Sequence, residues 1–196
     1  MGRLADESGQ HRALVLVLAY CGIRWGEAAA LRVRDVEFLR RRLSVSENAV
    51  QIGARHVVGP TKGGKARSVP VPVFVLDELS IQCRGKAPGD LVFPGSGGGY
   101  LPRPKSTNGS FTRAVKAAEV QAITPHDLRH SCASISISAG VNVLALSRML
   151  GHTPAKVTLD TYSDLFDTDL DAVASALDLK CAQTGAQTGA HGHSRG

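Results

Sequence analysis

Thr124-Pro125-His126-Asp127-Leu128-Arg129-His130 is the stretch on which the reading of this chain turns. Thr at an N-cap, Pro at the first helical position and an acid three residues after the cap make a strong helix start. His126, Arg129 and His130 stand at i, i+3 and i+4, so one helical face carries all three. Near a helix N-terminus, His126 and Arg129 add to a ready-made anion site. Downstream, Leu150-Gly151-His152 sets a histidine just past a Gly C-cap, and Tyr162 follows on the next helix. Upstream, Gly22-Ile23-Arg24-Trp25-Gly26-Glu27 places Arg24 after an apolar helix and a Gly turn. Lys62 lies between, in Thr61-Lys62-Gly63-Gly64-Lys65. Two arginines, a lysine, two histidines and a tyrosine can hold a phosphodiester and attack it without a metal. The ordered set carries that reading, and no single phrase does.

Each residue also has an ordinary role. Arginines near helix starts and lysines on hairpin tips are mostly solvated, and a lone tyrosine is mostly half-buried packing. Glu27, one helical turn after Arg24, could hold its guanidinium so that the planar fork grips phosphate oxygens. Lys62 on a hairpin could reach a DNA groove and donate a proton, with Lys65 and Arg67 as phosphate contacts positioning the hairpin. His126 and His130 at i and i+4 also resemble a zinc helix. That motif needs Glu directly after the first His, where this chain has Asp127, so no metal is expected. A supporting structural role suits His130. A phenol is a weak nucleophile at its usual pKa of about 10, so Tyr162 needs cationic neighbours or a base.

The 196 residues suit one domain with a real core. No run approaches the roughly 18 apolar residues of a membrane span. Cys21, Cys83, Cys132 and Cys181 form no C-x-x-C pair, which suggests a reduced, cytoplasmic protein. Lys and Arg number 23 against 17 Asp and Glu, for a net charge of +6. The basic excess lies in the body of the chain, because Asp160, Asp164, Asp167, Asp169, Asp171 and Asp178 crowd the C-terminal part. A basic body suits a polyanionic partner, and the acidic stretch should face away from it.

Patterning predicts helices over 10–20 and 24–33, then strands over 43–50, 55–58 and 67–71 forming one small antiparallel sheet. Gly63-Gly64 suits the hairpin joining the last two strands. Helices follow over 72–84 and 106–120, with a Pro/Gly/Ser loop over 94–105. The helix from Thr124 ends at Gly140, Asn142 caps the next, and two more start near Pro154 and Asp167. Residues 181–196 read as a disordered tail behind a domain spanning 1–180.

Together, G-I-R-W-G-E, T-K-G-G-K-A-R-S-V-P, H-D-L-R-H, L-G-H and V-T-L-D-T-Y over residues 10–180 resemble the tyrosine recombinases, or phage-type integrases. The wording around V-T-L-D-T-Y looks most like integrases of actinobacterial phages and prophages. The resemblance implies an α+β, mainly helical catalytic domain with a small three-stranded antiparallel sheet. It implies Arg24 and Arg129 as a phosphate clamp, and Lys62 as general acid to the departing 5′-hydroxyl. It implies His126 as acid/base, His152 as donor to the phosphate, and Tyr162 as nucleophile in a 3′-phosphotyrosyl intermediate. No metal or nucleotide cofactor is implied. The implied partners are double-stranded DNA attachment sites, a homotetramer on synapsed DNA that is monomeric when free, and accessory directionality or DNA-bending proteins. Family members normally carry an N-terminal core-binding domain, so a catalytic domain alone is expected here. A type IB topoisomerase-like enzyme, a catalytically silent DNA-binding fragment and a zinc metalloprotease are the competing readings.

Overall fold

Arg12–Cys21 is apolar on nearly every side, and its residues Ala13 to Ala19 and Cys21 are all buried. A helix that is hydrophobic all round belongs in a core. In the computed structural model this helix, α2, is the central strut of the fold. The structure describes residues 1–104, 109–152 and 156–162. A short helix, α1 (Gly2–Glu7), precedes it and packs on it. After Gly22 the chain turns into α3 (Trp25–Ala30). Gly22 has φ +61°, and a Cβ there would stand 2.8 Å from Leu150 Cδ2, so only glycine suits this turn.

The expected single sheet is two sheets. Strands β1 (Val36–Glu37), β2 (Arg42–Val45) and β5 (Arg67–Pro70) form a three-stranded antiparallel sheet in the order β1-β2-β5. Strands β3 (Glu47–Ile52) and β4 (Arg55–Pro60) form a separate antiparallel hairpin. The predicted strand over 43–50 breaks at Ser46, and its two halves pair with different partners. The turn at 61–65 therefore joins strands of different sheets. It closes with Gly64 N–H donating to the Thr61 carbonyl at 2.7 Å, and Gly64 takes φ +67°.

Helix α4 (Val73–Cys83) packs against α2, and α5 (Ser110–Ala117) against α1. The helix expected over 24–33 stops at Ala30 and gives way to a 3-10 turn at Val33–Asp35. The decisive stretch opens α6 (Pro125–Ser138), which lies along α2. Its cap forms as read: Thr124 N–H donates to Asp127 Oδ2 at 2.7 Å, and Asp127 N–H donates to Thr124 Oγ1 at 3.4 Å. Asn142 Oδ1 accepts from Leu144 and Ala145 N–H to start α7 (Val143–Leu150), and Gly151 at φ +67° ends it. Helix α8 is described over Lys156–Tyr162.

A second, smaller core joins these last helices: Ala133, Ile137, Leu146, Leu150 and Tyr162. Burying a Leu or Ile side chain stabilises by about 1.5–3 kcal/mol, so this cluster alone can seat α8 on α6 and α7. The architecture is α+β and mainly helical, as expected. The helix expected from Asp167, the C-terminal end of the domain at residue 180 and the tail from Cys181 lie outside the described residues. Among the described residues, no helix is long and apolar enough to cross a membrane.

Candidate active site

Glu27 is the hub on which the arginines assemble. Its side chain is 1% exposed, and its carboxylate accepts four hydrogen bonds. Arg24, at the N-cap of α3, donates its backbone N–H to Oε2 at 2.8 Å and Nη1 to Oε1 at 3.1 Å. Arg67 of β5 donates Nη1 to Oε1 at 2.9 Å and Nη2 to Oε2 at 2.7 Å. Four donors use the capacity of the two oxygens, which is the condition for burying a charge at tolerable cost. Burial alone would raise the Glu27 carboxyl pKa, but Arg67 and then Arg24 outweigh it and hold the group below its usual range.

Both guanidiniums also reach the C-terminal end of α7. Arg67 Nε donates to the Met149 carbonyl at 2.8 Å, and Arg24 Nη2 approaches the Gly151 carbonyl at 3.5 Å. Arg67 thus departs from the sequence expectation of a phosphate contact. Three of its nitrogens are committed inward, to Glu27 and Met149, and its side chain is 11% exposed. It braces β5 against α3 and α7.

Arg129 lies one turn into α6 and is 3% exposed. Its Nη1 donates to the Gly22 carbonyl and its Nη2 to the Leu150 carbonyl. The same Nη2 lies 3.0 Å from His152 Nε2. Arginine has no acceptor, so His152 Nε2 must accept. A neutral imidazole then carries its proton on Nδ1, which donates to Thr158 Oγ1 of α8 at 2.8 Å. Burial first, then Arg129 and Arg24, push the His152 pKa down to about 4. Burial likewise lowers Arg129 to about 10, helped by Arg24, which still leaves it charged at neutral pH.

The Tyr162 hydroxyl lies 2.8 Å from His130 Nδ1. His126 stands edge-on to His130 with ring centroids 4.8 Å apart. His126 is exposed, and with Arg24 and Arg129 it lines a recess of about 850 Å³. Burial, then electrostatic repulsion from His130 and Arg129, lower the His126 pKa. Burial raises that of Tyr162, and Arg129 opposes the rise.

The fold therefore gathers Arg24, Glu27, His126, Arg129, His130, His152 and Tyr162 around the meeting point of α3, α6, α7 and α8. Lys62 and Lys65 stand exposed on the turn after β4, outside this hydrogen-bonded cluster. Thr158 was missed by sequence reading. Its signal was its place four residues before Tyr162, hence on the same helical face. Among the described residues, His126 and His130 find no third His, Cys, Asp or Glu with which to hold a metal, so the zinc reading lacks its donor set.

The two acid-sensitive groups give a pH prediction. His152 binds a proton near pH 6.5 when unfolded but only near 4 when folded, so the unfolded state holds more protons in that window. Stability is therefore full above about pH 6.5 and declines as pH falls towards 4. Glu27, with its folded pKa depressed, continues the decline below the ordinary carboxylate range. Urea unfolding from pH 7.5 to 4 should show a falling midpoint, shallower in His152→Gln. A midpoint unchanged down to pH 4 would contradict the neutral, Arg129-bonded imidazole.

The chain also resembles known proteins in sequence and fold. The description "Phage integrase family" matches residues 3–168. The chain is 26% identical over 170 residues to tyrosine recombinase XerC of Bifidobacterium longum, covering 80% of this chain and 44% of that protein. It is 28% identical over 155 residues to a putative prophage phiRv2 integrase of Mycobacterium tuberculosis, covering 76% of this chain and 41% of that one. It thus spans less than half the length of these relatives. Among solved structures, the Tn1549 transposon integrase in complex with transposon right end DNA superposes with a TM-score of 0.70 at 23% identity, covering 85% of this chain and 59% of that one. The chain belongs to the phage integrase family, the tyrosine recombinases.

Proposed function

We propose that the chain is the catalytic part of a site-specific DNA recombinase that cuts and rejoins strands through a 3′-phosphotyrosyl intermediate. One observation carries this reading. Arg24 and Arg67 bond the buried carboxylate of Glu27, and the guanidinium of Arg129 lies within electrostatic range of all three and of the Tyr162 hydroxyl. Such a site has surplus positive charge, preorganised by carbonyls and by Glu27, and it favours a phosphate whose charge grows in the transition state. The relatives' names support a DNA substrate, and so does the neighbour solved on transposon DNA.

In this mechanism Arg24 and Arg129 grip the non-bridging oxygens of the scissile phosphate. Tyr162 Oη attacks phosphorus and loses its proton, and the bond to the 5′-oxygen breaks. Lys62, brought in on its turn, protonates that oxygen. His126 serves the same phosphate as acid/base. His152 would donate to it from Nε2, which first requires a proton there, since Nε2 accepts from Arg129 in the free protein. A 5′-hydroxyl from a partner duplex then reverses the step, so no nucleotide cofactor is consumed. Lys65 contacts backbone phosphate, and four copies assemble on two synapsed sites from free monomers, with accessory DNA-bending or directionality proteins setting the outcome. The setting is the bacterial cytoplasm, at the nucleoid.

Covalent trapping on nicked duplex DNA tests this reading. Wild-type protein should yield a protease-sensitive DNA adduct, and EDTA should leave its yield unchanged, because side-chain cations do the work that Mg²⁺ does elsewhere. A strict metal requirement would sink the mechanism. DNA binding by the chain as it stands should be weak and should fall steeply with salt, with a log–log slope of about −0.9 per phosphate neutralised. Nanomolar, sequence-specific binding at physiological salt would contradict contacts made mainly to phosphate.

A further inference from the structure

We propose that His130 is the group that takes the proton of Tyr162 as the phenol attacks, which makes it a catalytic residue of the tyrosine recombinase reaction. The inference rests on the proposed function. It assigns a step which that function leaves open, namely where the nucleophile's proton goes.

The argument is first one of geometry. Among the described residues, the hydrogen bond recorded for the Tyr162 hydroxyl is to His130 Nδ1, at 2.8 Å. The ring contact of His126 is edge-on to His130. Arg129 is committed to two carbonyls and to His152, and has only donors to offer. His152 spends Nδ1 on Thr158 and Nε2 on Arg129. A phenol is protonated at neutral pH, and this one sits in an apolar cluster that favours its neutral form. It therefore donates, and Nδ1 of His130 accepts with the ring proton on Nε2.

The rest of the site supports that direction. When the phenol attacks, its O–H bond breaks as the O–P bond forms, and the proton moves to Nδ1. The imidazole becomes imidazolium beside a phosphate gaining negative charge, so the transfer stabilises both. On the leaving side the 5′-oxygen takes its proton from Lys62, so the two proton transfers use different residues. In the reverse step His130 returns its proton to Tyr162 Oη as the phosphotyrosyl bond breaks. The groups facing His130 are His126, Asp127 and Arg129 on its own helix, His152 after α7, and Tyr162 on α8.

Two substitutions separate a proton acceptor from a mere spacer. His130→Ala removes the contact, whereas His130→Asn keeps an acceptor oxygen near the phenol but cannot hold a proton. The probe is a duplex recovered by covalent capture of the wild-type full chain from a randomised pool of nicked DNA. It is then prepared with either an ordinary or a 5′-bridging phosphorothiolate scissile bond, whose thiolate leaves without a proton. Single-turnover cleavage by both variants should fall by roughly 10²-fold or more on both substrates. The Lys62→Ala variant should recover on the phosphorothiolate. Log rate against pH should level off for wild type but keep climbing for His130→Asn, whose phenol must lose its proton to solvent.

If His130→Asn cuts at the wild-type rate with the wild-type profile, His130 only positions the ring and the inference falls. If the phosphorothiolate rescues His130→Ala, the residue acts on the leaving group and the inference also falls. If wild type captures no DNA, or Tyr162→Phe still forms adduct, the proposed function itself fails.

Discussion

Tyr162→Phe is expected to leave DNA bound but uncut. The variant loses one oxygen, and with it the nucleophile of the proposed reaction, so covalent adduct should fall below detection while DNA affinity stays within about twofold. The ring remains in the cluster of Ala133, Ile137, Leu146 and Leu150, so α8 keeps its seat. The structural cost is the hydrogen bond to His130, about 0.5–1.5 kcal/mol, which a folded domain tolerates. Neither other tyrosine can take over. Tyr20 lies edge-on against Phe74 at 4.9 Å, and the Tyr100 hydroxyl accepts from Arg32 at 3.1 Å, so both are engaged with residues other than Arg24 and Arg129. Gel mobility with and without denaturant separates bound from covalently attached DNA. Adduct persisting in the variant would move the nucleophile elsewhere and remove Tyr162 from the mechanism.

The grouping of the candidate residues was more legible in the sequence than the sheet, and the reason is range. The cap at Thr124, the Asn142 cap and the Gly151 terminus are local features, set by residues within four positions of one another, and each forms as read. The shared face of His126, Arg129 and His130 is local too. The break at Ser46 is not, because alternation along 43–50 says which residues face the core but not which strand each half pairs with. Arg67 misled for the same reason. Beside Lys62 and Lys65 it looks like one more phosphate contact, and its actual partner Glu27 lies 40 residues away on another element. The contacts from His130 to Tyr162 and from Arg129 to His152 are likewise long-range. The ordered phrases indicated that those residues belong together, but not which atom meets which. Helix α1 escaped notice because six residues are too few to show a period.

Glu27→Gln should be the most damaging single-atom change in the chain outside Tyr162. The side chain keeps its shape, but one acceptor oxygen becomes an NH₂ that points donors at donors. Whichever way the amide turns, it confronts Arg67 and Arg24, because Oε1 and Oε2 each accept from both residues. The buried carboxylate was also the counter-charge for two guanidiniums, and removing one partner of a buried ion pair typically costs 3–5 kcal/mol. A domain of this size is commonly stable by only about 5–15 kcal/mol, so the variant should be marginal, with its urea midpoint lowered well beyond error. The loss reaches function through Arg24. Without Glu27 its guanidinium is no longer held towards the recess it shares with His126 and Arg129, and losing one well-placed donor to a developing oxyanion costs about 3 kcal/mol or more of transition-state stabilisation. Cleavage per folded molecule should therefore drop by about 10²-fold. Glu27→Asp retains the charge but shortens the reach, and should recover part of the stability while Arg24 stays misplaced. If Glu27→Gln unfolds at the wild-type urea midpoint, the carboxylate is not the hub, and the cluster must be held by the carbonyls of Gly22, Met149 and Leu150 instead.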